Sequence, residues 1–231
     1  MCGIVGAVTE RRVRNILLEG LQRLEYRGYD SAGMATMESG KEILRNRQLG
    51  KVANLVAEVA DLDLNGTTGI AHTRWATHGA VLIENTHPHM SGDDLALVHN
   101  GIIENNQALK AQLEGIGYQF VSDTDSEVIV HLIESYVKAG VSLVEAVRSS
   151  VKRLDGAYAI AVISAEFPDR IVAARSGCPL VIGKGIGENF VASDVLALQA
   201  VTDRFIFLEE GDLVELTSDT IDIWNVENSS V

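Results

Sequence analysis

Met1-Cys2-Gly3-Ile4-Val5-Gly6-Ala7-Val8-Thr9 opens the chain, and the reading of this stretch decides the fold. Ile4 to Thr9 is a short, largely apolar, β-branched run of the kind that forms a buried strand. A cysteine stands at its leading end. Once Met1 is removed, Cys2 carries a thiol and a free α-amine on one residue. Reference pKa values of roughly 7.7–8.0 for the amine and roughly 8.5 for the thiol make proton transfer from sulfur to nitrogen nearly thermoneutral. A lysine amine, near ~10.4, is protonated at neutral pH and is a poor base. Cys2 then supplies nucleophile and base together. With Met1 in place the nitrogen is an amide and the base is lost. The competing reading is a small hydrophobe at the start of a core strand, the commonest role of free cysteine. The opening stretch alone leaves both open.

The bulk properties limit the choices. A length of 231 residues suits one large domain or two small ones. An apolar fraction of 46% with 3 prolines describes a folded chain with a sizeable core. The net charge, 19 − 32 = −13, argues against a nucleic-acid or anionic-membrane partner. No basic segment followed by an apolar one opens the chain as a signal peptide would, and no apolar run approaches a membrane span. Two cysteines, Cys2 and Cys178, make no disulfide framework. These features predict a cytoplasmic protein.

Outward from the first strand, Val13, Ile16, Leu17, Leu21 and Leu24 share a helical face. The stretch 25–33 is a polar, glycine-punctuated loop, and 33–37 with 42–45 reads as a hairpin around Ser39-Gly40. A helix is predicted over 51–62, then strands over 68–73 and 95–99, the latter ending at Asn100-Gly101. That pair alone signals a hairpin turn. A helix over 105–113 closes at Gly115. Thr124-Asp125-Ser126-Glu127 and Ser142-Leu143-Val144-Glu145 have capping-box spacing, which puts Asp125 at a helix start. Strands then dominate: 157–164, 171–174, 180–183, 190–192, 205–209, 213–216 and 221–224, interrupted by a short helix at 194–200. Strands, helices and strands again give one α+β domain with mixed sheets, and the polar tail 225–231 reads as the start of a linker.

Four places hold polar clusters that packing does not require: Cys2, Arg27 to Ser31, Arg74 to His78, and Asn100-Gly101. Each is read at a strand or hairpin end, where sites are mounted on rigid scaffolds. Cys2, His78, His87 and His89 are zinc-ligand types, but the chain has no Cys-x-x-Cys or His-Glu-x-x-His spacing, and no metal is expected. A cysteine–histidine hydrolase would use Cys2, a histidine and Asn100. Its nucleophile gains reactivity at a helix N-terminus or beside an imidazolium, whereas Cys2 opens a strand.

The third chemistry is that of an N-terminal nucleophile, and here a resemblance enters. Cys2-Gly3-Ile4-Val5-Gly6 resembles the opening of the class II glutamine amidotransferases, members of the N-terminal-nucleophile hydrolases. The motifs at 24–33, 73–79, 87–89, 98–105 and 175–177 narrow it to the glutaminase domain of the glutamine–fructose-6-phosphate aminotransferases, in order and over essentially the whole chain.

The resemblance implies a four-layer αββα sandwich of two mainly antiparallel sheets, with residues 1–231 forming one glutaminase domain that lacks the family's C-terminal sugar-isomerase domains. It implies that Cys2 attacks the side-chain amide of L-glutamine, giving a γ-glutamyl thioester and ammonia. The Asn100 side chain and the Gly101 backbone N–H correspond to the oxyanion hole. Arg74 corresponds to the arginine on the substrate α-carboxylate, and Asp125 to the acid on its α-ammonium. Thr77, with Trp75 and His78, belongs to the loop that closes over glutamine. No cofactor is expected, and the full-length relatives are expected to be homodimers through the isomerase part. His87 and His89 read as structural, Cys178 as inert core, and Arg27 as support for the Cys2 site. Two rivals remain: an amidotransferase with another acceptor, such as the phosphoribosyl-pyrophosphate enzyme or asparagine synthetase, and a domain that binds glutamine or a partner without catalysis.

Overall fold

In the first strand Ile4 and Val8 face one way and Val5 and Ala7 the other, and all four are buried. A strand apolar on both faces needs cover on both. The computed structural model describes residues 2–75 and 80–227. In chain order the elements are β1 (Gly3–Thr9), α1 (Arg14–Leu24), β2 (Ser31–Met37), β3 (Leu44–Leu49), α2 (Val52–Glu58) and β4 (Thr68–Arg74). Next come β5 (His89–Ser91), β6 (Leu95–Ile103), α3 (Asn106–Gly115), α4 (Ser126–Lys138) and α5 (Leu143–Val151). The chain ends in β7 (Gly156–Ser164), β8 (Ile171–Ser176), β9 (Val181–Lys184), β10 (Glu188–Ala192), β11 (Phe205–Phe207), β12 (Asp212–Leu216) and β13 (Ile221–Asn225).

Seven strands form one sheet in the order β11-β9-β10-β1-β4-β2-β3, and six form the other, β13-β12-β8-β7-β6-β5, with antiparallel pairing throughout. Three buried clusters define the layers. Val5, Ala7, Met34 and Ala71 of the first sheet pack beneath Leu17 and Leu21 of α1 and Leu55 of α2. Ile4, Val8, Ala35 and Ile70 meet Ala96, Val98, Ala161 and Val214 of the second sheet in the centre. Leu95, Leu97, Ile160 and Val162 on its outer face receive Ile129 and Ile133 of α4 and Val147 of α5. Helix, sheet, sheet, helix is the predicted αββα sandwich.

Several local expectations change. α2 stops at Glu58, and β3 begins at Leu44, later than the predicted hairpin arm. The 194–200 segment forms only a three-residue 3-10 helix, Val195–Ala197. β6 does not end at His99. It runs through Asn100-Gly101 to Ile103, so that pair makes no hairpin turn and lies within the strand, not at its end. Gly101 takes φ 134° there, and a Cβ on it would stand 1.9 Å from the Ala157 carbonyl oxygen, so glycine is required for reasons other than turning. At α5 the predicted cap forms, Ser142 Oγ accepting from the Glu145 N–H at 3.4 Å. At α4 Asp125 stands at the helix start, as expected, but it and not Thr124 takes the N-cap position, and the capping box is absent. Glu127 instead accepts from the Val121 and Ser122 N–H groups at 3.0 and 2.7 Å, and Thr124 turns to His89. No described helix is long and apolar enough to cross a membrane.

The central layer is close-packed, so Ile70→Ala, a fully buried truncation, should cost about 2–5 kcal/mol. Ile186→Ala, at a side chain 95% exposed, should stay within about 0.5 kcal/mol. Urea unfolding of the two variants checks the contrast.

Candidate active site

Strand register brings distant residues to one end of the first sheet. β1 pairs with β4 so that Gly3 faces Thr73, and β2 pairs with β4 so that Ser31 faces Arg74. Cys2, Arg74 and Asp30 therefore gather where three neighbouring strands begin or end. The Asp30 N–H donates to the Arg74 carbonyl at 2.7 Å, and their side chains lie 3.7 Å apart as an ion pair. Arg74 is almost fully buried, and its Nη1 also donates to the Ala80 carbonyl at 3.2 Å.

Strand alternation aims these groups. Ile4 and Val8 face the central layer, and so does the position of Cys2; Ile70 does likewise, with His72 and Arg74 in step. On the opposing sheet Ala96 and Val98 face the same layer, with Asn100 next in the series. The site is thus the polar end of the space between the sheets. Asn100 Nδ2 donates to the Cys2 carbonyl at 3.3 Å, joining the two sheets at that point.

Cys2 Sγ accepts from the Trp75 N–H at 3.3 Å. Burial pushes the thiol pKa up, opposed by that hydrogen bond and by the Arg74 charge and assisted by Asp30. Burial therefore outweighs the factors that would favour a resting thiolate. Asp125 Oδ2 accepts from the Ile103 N–H at 2.7 Å, which fastens the start of α4 to the strand carrying Asn100 and Gly101. The Trp75 ring is half exposed and lies against Gly28, where φ is 106° and a Cβ would meet the ring at 2.3 Å. A narrow cavity of about 30 Å³ is lined by Cys2, Arg74, Trp75, Gly101 and Asp125. A second, more apolar one of about 220 Å³ shares Cys2, Trp75 and Gly101 and adds Arg27, Asn100 and Cys178. A third, about 530 Å³ near Thr36, Lys41 and Asn65, holds none of these groups.

Of the eight predicted site residues, Cys2, Arg74, Trp75, Gly101 and Asp125 line the first cavity, and Asn100 lines the second beside Cys2, Trp75 and Gly101. Thr77 and His78 lie outside the described residues. Arg27 lines the second cavity with Cys2, and its Nη1 donates to the Ser193 carbonyl at 3.3 Å, while Ser193 Oγ accepts from the Ile4 N–H at 3.0 Å. His87 and His89 are buried, with His89 Nε2 3.0 Å from Thr124 Oγ1. Cys178 is only half-buried and lines the second cavity, so it is not wholly core. The sequence reasoning missed His72, whose Nε2 lies 3.0 Å from Asn100 Oδ1, and His99, whose Nδ1 lies 2.8 Å from Ser126 Oγ. Alternation along β4 could have found His72, two residues after Ile70 and two before Arg74. Among the described residues no group of three or more His, Cys, Asp or Glu side chains is placed to hold a metal ion.

Residues 72–200, more than half of the chain, match the family described as glutamine amidotransferase domain. The chain belongs to that family. It is 59% identical, over its whole length, to the glutamine–fructose-6-phosphate aminotransferase (isomerizing) of Pseudomonas putida, of which it covers 38%. The chain thus spans about two-fifths of the length of the curated relatives it matches. Among solved structures it is similar to the glutamine phosphoribosylpyrophosphate amidotransferase of B. subtilis, with TM-score 0.84 and 26% identity, covering 99% of this chain and 50% of that one. A class II domain protein from Silicibacter pomeroyi, at TM-score 0.67 and 15% identity over 97% of this chain and 99% of that one, shares the fold. The match to this amidotransferase agrees with the αββα layering found from the core.

In this amidotransferase domain the α4 start rests on Glu127, which is almost fully buried. Burial alone would raise its pKa, but His131 at 3.5 Å and the Ser122 and Val121 donors outweigh that and hold it at about 2. A carboxylate depressed below its unfolded pKa of roughly 4.3 adds stability above that pH, and the stability is lost as pH falls through the folded value. Glu127→Gln should therefore destabilise the domain at pH 7, with the gap to the unsubstituted protein closing between about pH 4 and 2. Chemical unfolding across that range checks it.

Proposed function

We propose that this domain hydrolyses L-glutamine to glutamate and ammonia through a thioester on Cys2. The observation that carries the reading is one cavity holding a cation, an anion and a thiol: Arg74, Asp125 and Cys2. An amino-acid zwitterion fits the charged pair. Arg74 receives the α-carboxylate, for which a guanidinium offers two parallel donors. Asp125 receives the α-ammonium. Its carboxylate has about four acceptor sites, of which the Ile103 N–H takes one. The γ-amide then reaches Cys2.

Because burial keeps the thiol protonated at rest, attack needs a base at the moment of reaction. The free α-amine left by loss of Met1 is that base, directly or through a water. It takes the thiol proton as sulfur bonds the amide carbon. The oxyanion that forms is met by the Asn100 NH₂ and the Gly101 N–H. The proton passes to the leaving nitrogen, the C–N bond breaks, and ammonia departs. Water, deprotonated by the same amine, cleaves the thioester to glutamate and restores the thiol. By the family resemblance, Trp75, Thr77 and His78 are the residues expected to contact bound glutamine. No cofactor enters the scheme.

The relatives support a reading of the whole protein's activity. The 59% identity favours amination of fructose 6-phosphate to glucosamine 6-phosphate over a phosphoribosyl acceptor, in a full-length homodimeric, cytoplasmic enzyme with C-terminal isomerase domains. On this reading residues 1–231 form the glutaminase domain and release ammonia without making the amino sugar.

Cys2→Ala should leave the melting profile unchanged and reduce glutamate release to background, since removal of a nucleophile costs up to ~10⁶ in rate. Activity should also track the fraction of chains lacking Met1 in an intact mass spectrum. Iodoacetamide should label Cys2 ahead of Cys178, with glutamine protecting Cys2. A folded Cys2→Ala variant with full activity would overturn the mechanism. Glutamine binding without glutamate release would favour the non-catalytic reading.

A further inference from the structure

His72 stands beneath Asn100 and lines neither of the two cavities that hold Cys2. Its Nε2 is 3.0 Å from two oxygens at once, the backbone carbonyl of His99 and the Asn100 Oδ1. A carbonyl oxygen only accepts, and the His99 carbonyl belongs to the β6 ladder and cannot turn over. Nε2 must therefore carry the hydrogen. Burial lowers the ring's pKa to about 3, so at neutral pH that is its single N–H.

The consequence falls on the amide. An asparagine side chain has two faces that differ by a half-turn, and shape alone barely distinguishes them. Here they are not equivalent. A half-turn of Asn100 would set its NH₂ against the Nε2–H and its oxygen against the Cys2 carbonyl, placing donor on donor and acceptor on acceptor. As found, Oδ1 takes the histidine hydrogen, and Nδ2 reaches the Cys2 carbonyl at 3.3 Å beside the thiol.

We infer that His72 is a positioning residue: its Nε2–H fixes which face of the Asn100 amide meets the Cys2 site, and so aims the NH₂ at the developing oxyanion. The ring is itself held. It stacks on His87 with centroids 4.1 Å apart, His87 meets His89 edge-on at 4.6 Å, and His89 bonds Thr124 immediately before the start of α4. Aim at Asn100 is thereby tied to the helix start that presents Asp125.

The catalytic consequence rests on the glutaminase reading, but the tautomer does not, and the test separates them. In this chain with Met1 removed, ¹⁵N-histidine NMR at pH 7 should show His72 as the Nε2–H tautomer. The Nδ1–H form would overturn the inference whatever the activity. His72→Leu should lower kcat for glutamine hydrolysis about 10- to 100-fold, short of the ~10²–10³ that loss of the donor itself costs. KM should change less than about twofold, because uniform binding is not what is lost. His72→Gln, whose amide N–H can serve the same two oxygens, should recover most of kcat. A KM increase matching the loss of kcat, or a folded Gln variant no better than Leu, would contradict the assignment. Failure of the Leu variant to fold leaves the tautomer to decide. An inactive unsubstituted protein with the Nε2–H tautomer would refute the glutaminase reading and leave the orientation of Asn100 standing.

Discussion

Cys2 stands one residue ahead of β1, so the position of this proposed nucleophile depends on whatever fixes that strand. β1 has ladders on both edges, to β10 and to β4, and buried side chains on both faces. Its leading end is secured again by Ser193, which bonds the Ile4 N–H with its side chain and the Ile4 carbonyl with its backbone N–H. Cys2 is thereby placed by the strand that it leads. β1 lies at the centre of the seven-stranded sheet, so neither of its edges is free to fray.

The two sheets then supply different parts of the site. The first contributes Cys2, Asp30 and Arg74, and the second contributes Asn100 and Gly101, with Asp125 arriving on α4. They meet at the Asn100–Cys2 hydrogen bond and across the central apolar layer. The alternation that buries Ile4, Ile70, Ala96 and Val98 also turns Cys2, His72, Arg74 and Asn100 to the same space. A one-residue slip in β4 would move Arg74 out of the cavity and Ile70 out of the core together. Core packing and site assembly are one problem in this fold.

The sequence disclosed the sandwich's ingredients more readily than its geometry. β1 and α1 were legible because their apolar spacing is strong, and Asp125 was legible as a helix start from its spacing to the apolar run behind it. Asn100-Gly101 misled, because Asn-Gly favours turns while here the pairing with Ala159 and Tyr158 carries the strand straight through. Tertiary pairing overrode local preference. The Thr124–Glu127 capping box failed for a similar reason, since Glu127 found two backbone donors upstream and a histidine one helical turn downstream. The assembly of Cys2, Arg74, Asn100 and Asp125 was visible only through family resemblance, because residues up to 123 positions apart are joined by sheet register that no local pattern encodes. His72 escaped notice because a lone histidine in a strand looks like filler until its two oxygen neighbours are seen.

The central claim is that the sulfur of Cys2 carries the γ-glutamyl group. The most direct test is to mix the Met1-free protein with excess glutamine, quench with acid on the millisecond scale, and map the peptides by mass spectrometry. A γ-glutamyl thioester should appear on the N-terminal Cys2 peptide before steady-state glutamate release and be removed by hydroxylamine. Glutamate release with Cys2 unmodified at every time, or an adduct on Cys178 instead, would contradict it.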